Sequence, residues 1–342
     1  MHTVERWLHR KPAVLFLFAL LAAAGTYSTT AGSPVAAAKT IFGYAGTGRE
    51  GIAVNLFLPD HLTVERGDTV EWVNPYEEPH TITYLTGGAS FGFEEVANIE
   101  AAAAFDGSEA FTSGFIGKDA HFSVTFEKFG TYTFLCLLHQ GMEVQVSVVP
   151  VGSAVPPQGA NDPANAQITE DAIALAQAAI DALVVPGPVS NANGTQDWTV
   201  LTGPGVPLPQ GSSADVMKFY APNLEIAVGD TVTWEDDTFV PHTVTFIPPN
   251  NLPDAIDPFT PDVASTTYDG SYYVNSGILS NIPEFGAVTS FSLTFTRPGT
   301  FEYICLLHAD QGMVGQIVVT GSATGGGGSV TPPSTGDGGL VD

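Results

Sequence analysis

Two short stretches of this chain each place a thiol, an imidazole and a thioether within one turn. The first is Cys136-Leu137-Leu138-His139-Gln140-Gly141-Met142, the second Cys305-Leu306-Leu307-His308-Ala309-Asp310-Gln311-Gly312-Met313. Soft sulfur with imidazole suits copper, and a Cys with two His and a weak axial Met is a ligand set for one-electron redox chemistry. Each stretch holds one His. The second His has an obvious source in each half, at Pro79-His80-Thr81 and Pro241-His242-Thr243. A lone buried His is usually a hydrogen-bonded core residue, but its recurrence in the same Pro-His-Thr context argues for a ligand. Two metal sites are therefore expected, one from His80, Cys136, His139 and Met142, the other from His242, Cys305, His308 and Met313.

The elements that must position these residues read as strands. Val70 and Trp72 alternate with polar residues, and His80, Ile82 and Tyr84 share a phase in what reads as the next strand. Tyr132, Phe134 and Cys136 share a face, as do Met142, Val144, Val146 and Val148. The ligands are thus in phase with core-facing residues, as a buried metal at one end of a β-sandwich requires. The whole pattern repeats. Gly67-Asp68-Thr69-Val70-Glu71-Trp72 matches Gly229-Asp230-Thr231-Val232-Thr233-Trp234, and Phe122-Ser123-Val124-Thr125-Phe126 matches Phe291-Ser292-Leu293-Thr294-Phe295. A period this long marks duplication of a domain.

These residues resemble the cupredoxins, the plastocyanin/azurin/amicyanin type of blue copper protein, present twice. The first loop has the amicyanin spacing of Cys, His and Met and the second the plastocyanin spacing. The resemblance implies an all-β chain of two tandem cupredoxin-like Greek-key β-sandwiches joined by a linker with a short helix. It implies an electron-transfer protein with two type 1 (blue) copper ions, one per domain. It also implies that the solvent-exposed edges of His139 and His308 serve as electron ports.

Two other functions compete: copper delivery, and a copper enzyme of the two-domain oxidase or nitrite reductase kind. Beyond the presumed signal, four of six His are taken by the two sites, leaving His61 and His121. A trinuclear cluster needs more His, usually as His-x-His pairs. Nitrite reductases put a His beside the site Cys, where this chain has Leu135 and Leu137, and Ile304 and Leu306. The His count thus points away from catalysis, and buried four-ligand sites favour retention over delivery. Met is a poor zinc ligand, which disfavours zinc.

Among 342 residues there are 36 acids against 10 bases, a formal charge of −26. That excess disfavours nucleic acid and anionic membranes and fits a redox partner protein with a basic docking surface, or simply high solubility. The two cysteines could in principle pair, but each lies beside a His and a Met of its own repeat, so a bridge would leave both constellations unexplained. Residues 1–38 read as an export signal with a basic start and an apolar run, which predicts an extracytoplasmic protein; an uncleaved N-terminal anchor is the alternative. Residues 39–150 form domain 1 and 196–320 domain 2. Between them, 151–195 is a linker with a helix over 168–185, capped by Thr169 and ended by Pro186. That helix is expected to pack on one sandwich. Residues 94–104 suggest a short helix, 248–270 a loop, and 321–342 a disordered Gly/Ser/Pro-rich tail.

Overall fold

The computed structural model describes residues 37–91, 104–250, 253, 255–283 and 286–321. Most of the export segment, nearly all of the Ala-rich stretch and all but the first residue of the tail lie outside the described residues. Ala104 itself belongs to a two-residue strand with Phe105.

Each half is a pair of facing sheets. In the first half, Thr40–Arg49 pairs antiparallel with Ile52–Leu58 and parallel with Thr69–Val73, followed by His121–Phe126 and Ala104–Phe105. The opposing sheet runs His61–Glu65, Glu143–Val149, Gly130–Leu135, Thr83–Tyr84, Phe111–Thr112. The second half repeats the scheme. Gln196–Thr202 lies parallel to Thr231–Glu235 in one sheet, and Asn223–Ala227 parallel to Val314–Thr320 in the other.

Alternation along the strands builds a separate core for each half. Val70, Trp72, Phe134, Cys136 and Met142 share the first, and Val232, Trp234, Tyr303, Cys305 and Met313 the second. Trp72 and Trp234 are completely buried, and each packs on aromatic rings of the opposite sheet. Large rings at the sandwich centre bury the most apolar area per residue ordered.

The segment expected as one strand over 80–84 is shorter. His80 makes an isolated bridge to Ile116, and only Thr83–Tyr84 is a strand. Pro79 has no N–H to donate to a ladder, and Thr81 turns its hydroxyl to the Cys136 loop instead.

The halves are joined by backbone pairing. Ser213–Val216, from the second half, pairs antiparallel with Ile52–Leu58 of the first, with Ala214 opposite Val54, and Gly205–Pro207 extends the same sheet. This composite surface carries a third apolar cluster, including Ile52, Val54, Leu56, Leu58, Leu208, Ala214 and Val216.

Helix α1, Pro163–Ala182, covers that cluster with Ala172, Ile173 and Ala176. It therefore packs on a sheet built by both halves, where packing on one sandwich was expected. It also begins five residues earlier than the expected 168. Asp162 caps it, accepting the Ala164 N–H at 2.9 Å, and Pro163 opens it, a favoured start because Pro lacks the N–H that would go unpaired there. Thr169, the expected cap, lies inside the helix and donates to the Asn165 carbonyl. The helix stops at Ala182 rather than 185, since a residue before Pro186 is driven out of helical geometry. The preceding linker is held to the first half: Gln158 accepts the Thr63 N–H at 2.9 Å, and the Ala160 N–H donates to Phe42 at 2.6 Å.

Candidate metal centres

Each half closes three donor atoms on one buried point. In the first, Cys136 Sγ lies 3.5 Å from His139 Nδ1 and 3.9 Å from His80 Nδ1. In the second, Cys305 Sγ lies 3.4 Å from His308 Nδ1 and 4.0 Å from His242 Nδ1, and the two Nδ1 atoms are 3.1 Å apart. One sulfur and two nitrogens, all within 4.8 Å of one another in each half, fit the donor set of a copper ion. Both cysteines are free and buried.

Local backbone explains why the three meet. The Cys136 N–H donates to the Met142 carbonyl at 2.9 Å and the Met142 N–H to the His139 carbonyl at 3.2 Å, which closes the loop on itself. The second loop closes the same way, through Cys305 to Met313 at 3.0 Å and Met313 to His308 at 3.1 Å. Met142 and Met313 are fully buried in their cores beside the Cys. The loop closure brings the backbone of each Met to that of its Cys.

The Thr of each Pro-His-Thr acts twice. The Thr81 N–H donates to Cys136 Sγ at 3.3 Å, and its hydroxyl accepts the Leu137 N–H at 2.8 Å. Thr243 repeats both contacts, at 3.4 Å to Cys305 Sγ and 2.8 Å from the Leu306 N–H. The repeat contained this signal, since Thr follows His in both copies, but sequence reading used it only as context for the His.

The two centres face each other. The ends of the sandwiches that carry the ligand loops meet at the interface, and Glu78 lies between them. Its Oε1 is 3.3 Å from His139 Nε2 and its Oε2 is 3.4 Å from His308 Nε2. Gln311, on the second loop, donates to Oε2 at 2.8 Å. The His139 and His308 side chains are 9% and 3% exposed. The expectation of solvent-exposed His ports is therefore corrected: docking of the halves covers both edges. Glu78 was not singled out from the sequence. The signal was its mismatch in the repeat, where the second copy has Val240.

Electrostatics follow from this packing. Burial would raise the Glu78 carboxyl, but the imidazoles of His308 and His139 outweigh it and hold it down at about 2. Burial opposes charge on His139, yet the Cys136 sulfur and then Glu78 push it up to about 10. His308 rises to about 9 against burial, through Cys305 and Glu78. Burial would likewise raise both thiols, but the neighbouring imidazoles bring Cys136 and Cys305 well below the usual thiol range. A thiol that ionises readily is ready to bind metal. Burial lowers His80. Asp215, a second buried acid near the cluster, is raised by burial while the His139 imidazole pulls it down; its Oδ2 accepts from Asn55 Nδ2 at 2.6 Å.

One asymmetry near the second centre gives a testable result. Asn74 and Asp236 occupy the same place in the two copies. Asn74 Nδ2 donates to the carbonyls of Glu78 and Ile116 at 2.7 and 3.0 Å, which fixes the segment before His80. Asp236 Oδ1 accepts from Thr238, while Oδ2 is buried without a hydrogen-bond partner. Burial pushes this carboxyl up to about 6, against the pull of the His242 imidazole. A carboxyl raised on folding stabilises only in its protonated form, so its cost begins above the ordinary 3.8 and is complete above about 6. Asp236→Asn should therefore stabilise the copper-free protein well above pH 6 by roughly 2–3 kcal/mol. The gain should vanish below the ordinary carboxyl value. Denaturant unfolding at both pH values checks this, and a pH-independent difference would refute it.

The family model described as copper binding proteins, plastocyanin/azurin family, matches residues 49–149 and again 208–320. A chloroplastic plastocyanin of Physcomitrium patens is 26% identical over 148 residues, covering 43% of this chain and 77% of its own. The amicyanin of Paracoccus versutus is 29% identical over 140 residues, covering 40% of this chain and 91% of its own. A crystal structure of amicyanin from the same organism superposes with a TM-score of 0.23 at 24% identity, over 33% of this chain and 83% of that one. With two matched regions that together span more than half its length, this chain belongs to the plastocyanin/azurin family of copper-binding proteins.

Proposed function

We propose that this protein is an extracytoplasmic electron carrier with two type 1 copper sites, held by His80, Cys136, His139 and Met142, and by His242, Cys305, His308 and Met313. The observation that carries the reading is the twofold convergence of one Sγ and two Nδ1 atoms at a buried point. Copper bound there supplies one-electron exchange between Cu(I) and Cu(II). The chain holds its donors still. Thr81 and Thr243 fix each sulfur with an N–H and each loop with a hydroxyl, so little needs to move when the charge changes.

Burial of the donors, of which only His139 is partly exposed, supports retention of copper over delivery, because a donor must be reachable to hand a metal on. The two spare His support a carrier over an oxidase or nitrite reductase. His61 and His121 lie exposed, beside Asp60 at 3.0 Å and Glu71 at 2.7 Å. Export rests on the pattern of residues 1–38. A redox partner with a basic surface fits the charge of −26.

The test is copper analysis with visible and EPR spectra of the loaded protein. Two coppers per chain, an intense thiolate-to-Cu(II) charge-transfer band and a Cu(II) signal abolished by mild reductants are expected. A colourless protein that prefers zinc would overturn the reading.

A further inference from the structure

Where the two ligand loops approach each other, a single acid lies between them. Glu78 presents one carboxylate oxygen to the Nε2 of His139 and the other to the Nε2 of His308. Each of these rings points its other nitrogen, Nδ1, at the Cys sulfur of its own half. A ring whose Nδ1 faces a metal carries its proton on Nε2, and that N–H needs an acceptor. One buried carboxylate lies 3.3 and 3.4 Å from the two Nε2 atoms, and Gln311 donates to it.

The acid is also held in place from behind. Asn74 Nδ2 donates to the Glu78 carbonyl at 2.7 Å. The second copy does not duplicate it: Val240, at the equivalent position, is buried against Tyr76, Met217 and Ala53. The duplication has therefore diverged so that one carboxylate lies between the two centres. The longer second ligand loop contributes as well. Its short 3-10 turn, Ala309–Gln311, ends on the Gln that reaches Glu78.

We propose that Glu78 is the electronic bridge between the two copper sites, which makes the protein an intramolecular two-site relay. This rests on the copper reading above and deepens it. The route runs from one sulfur-imidazole centre through His139, the Glu78 carboxylate and His308 to the other, by covalent bonds and two buried ion-pair contacts of 3.3 and 3.4 Å. In each transfer one electron leaves a Cu(I), which becomes Cu(II), and arrives at the other Cu(II), which becomes Cu(I). No covalent bond forms or breaks, and both Nε2 protons stay on their rings. Burial of Glu78 and its hydrogen bonds from Asn74 and Gln311 hold the carboxylate in place, so the path is preorganised. Glu78 is a positioning residue that touches the ligands and not the metals.

The experiment uses the full chain loaded with copper. A pulse supplying less than one reducing equivalent is followed by freeze-quenched EPR and visible spectra, with the Cys136→Ala and Cys305→Ala proteins as single-site references. In the wild-type protein the electron should redistribute between sites at a rate independent of protein concentration. Glu78→Gln keeps the size but offers only one acceptor oxygen, and Glu78→Val copies the residue of the second half and offers none. Both should retain two coppers and both charge-transfer bands, and redistribution should slow at least about tenfold, most in Glu78→Val.

A rate that scales with protein concentration, or variants that redistribute at the wild-type rate, would overturn the bridge while leaving two copper sites standing. Loss of a copper or a band in Glu78→Gln would make the acid a structural support only and overturn the bridge as well. A third copper in the wild type that Glu78→Val removes would show a metal site in place of a bridge. A wild-type protein without two coppers and their bands would instead bring down the underlying copper reading.

Discussion

Replacing Cys136 with Ala is expected to leave one copper per chain and one charge-transfer band, that of the second site. Cys305→Ala should do the converse. Each sulfur is the only thiolate of its centre, and a Cu(II)–thiolate band cannot survive its removal. The second centre should persist because the contacts that hold its sulfur and close its loop stay in its own half. The Thr243 N–H, the loop closure from Cys305 to Met313 and the core around Trp234 involve no residue of the first centre. His139 would still have Glu78 as its partner, so the interface keeps its polar contacts. Cys to Ala removes one buried atom, and the large-to-small cost should stay near about 1–2 kcal/mol. Copper analysis, visible spectra and thermal unfolding of both variants check the outcome. Loss of both bands in either variant would show one shared centre in place of two.

The second large effect is expected at Gly141, in the first ligand loop. Its φ is +77°, and a Cβ there would lie 1.8 Å from the Gly211 carbonyl oxygen of the second half. That oxygen belongs to a closed turn, with Gly211 N–H bonded to Leu208 at 3.0 Å and Leu208 N–H to Ser212 at 2.7 Å. Backbone cannot yield as a flexible side chain would. Gly141→Ala should therefore force the halves apart at the ligand loops. The cost should be about 2–5 kcal/mol, combining left-handed strain with overpacking. Gly312, at the matching place in the second loop, has φ of +85° but nothing within 4 Å of its would-be Cβ. Gly312→Ala should cost only the strain, about 1–2 kcal/mol. Denaturant unfolding of the pair separates the two terms, and equal stabilities would contradict the tight contact. Gly141→Ala should also make His139 accessible to solvent, readable as faster chemical modification of that ring.

The residues proposed as ligands were legible in the sequence because their chemistry is local. A Cys, a His and a Met within one turn, repeated with a second His in a repeated context, specify which atoms can meet whatever surrounds them. The strand phases of Val70, Trp72, Phe134 and Val144 were legible too, since a half-buried strand must alternate. Helix α1 was only half legible. Its existence and its cover of one face were readable, but Thr169 is one of several short polar residues that could cap it, and the sequence alone does not single out the true start, Asp162-Pro163.

The relation between the halves was decided by tertiary structure alone. Nothing in the periodicity of Ile52–Leu58 says that its free edge pairs with Ser213–Val216, because an unpaired edge offers the same N–H and C=O groups to any strand. That pairing turns the ligand ends inward, buries the His139 and His308 edges and places Glu78 between them. In the sequence Glu78 is one acid among 36 and sits beside Glu77. Only burial and the approach of two imidazoles from different halves give it a role, and those arise when the two sandwiches dock.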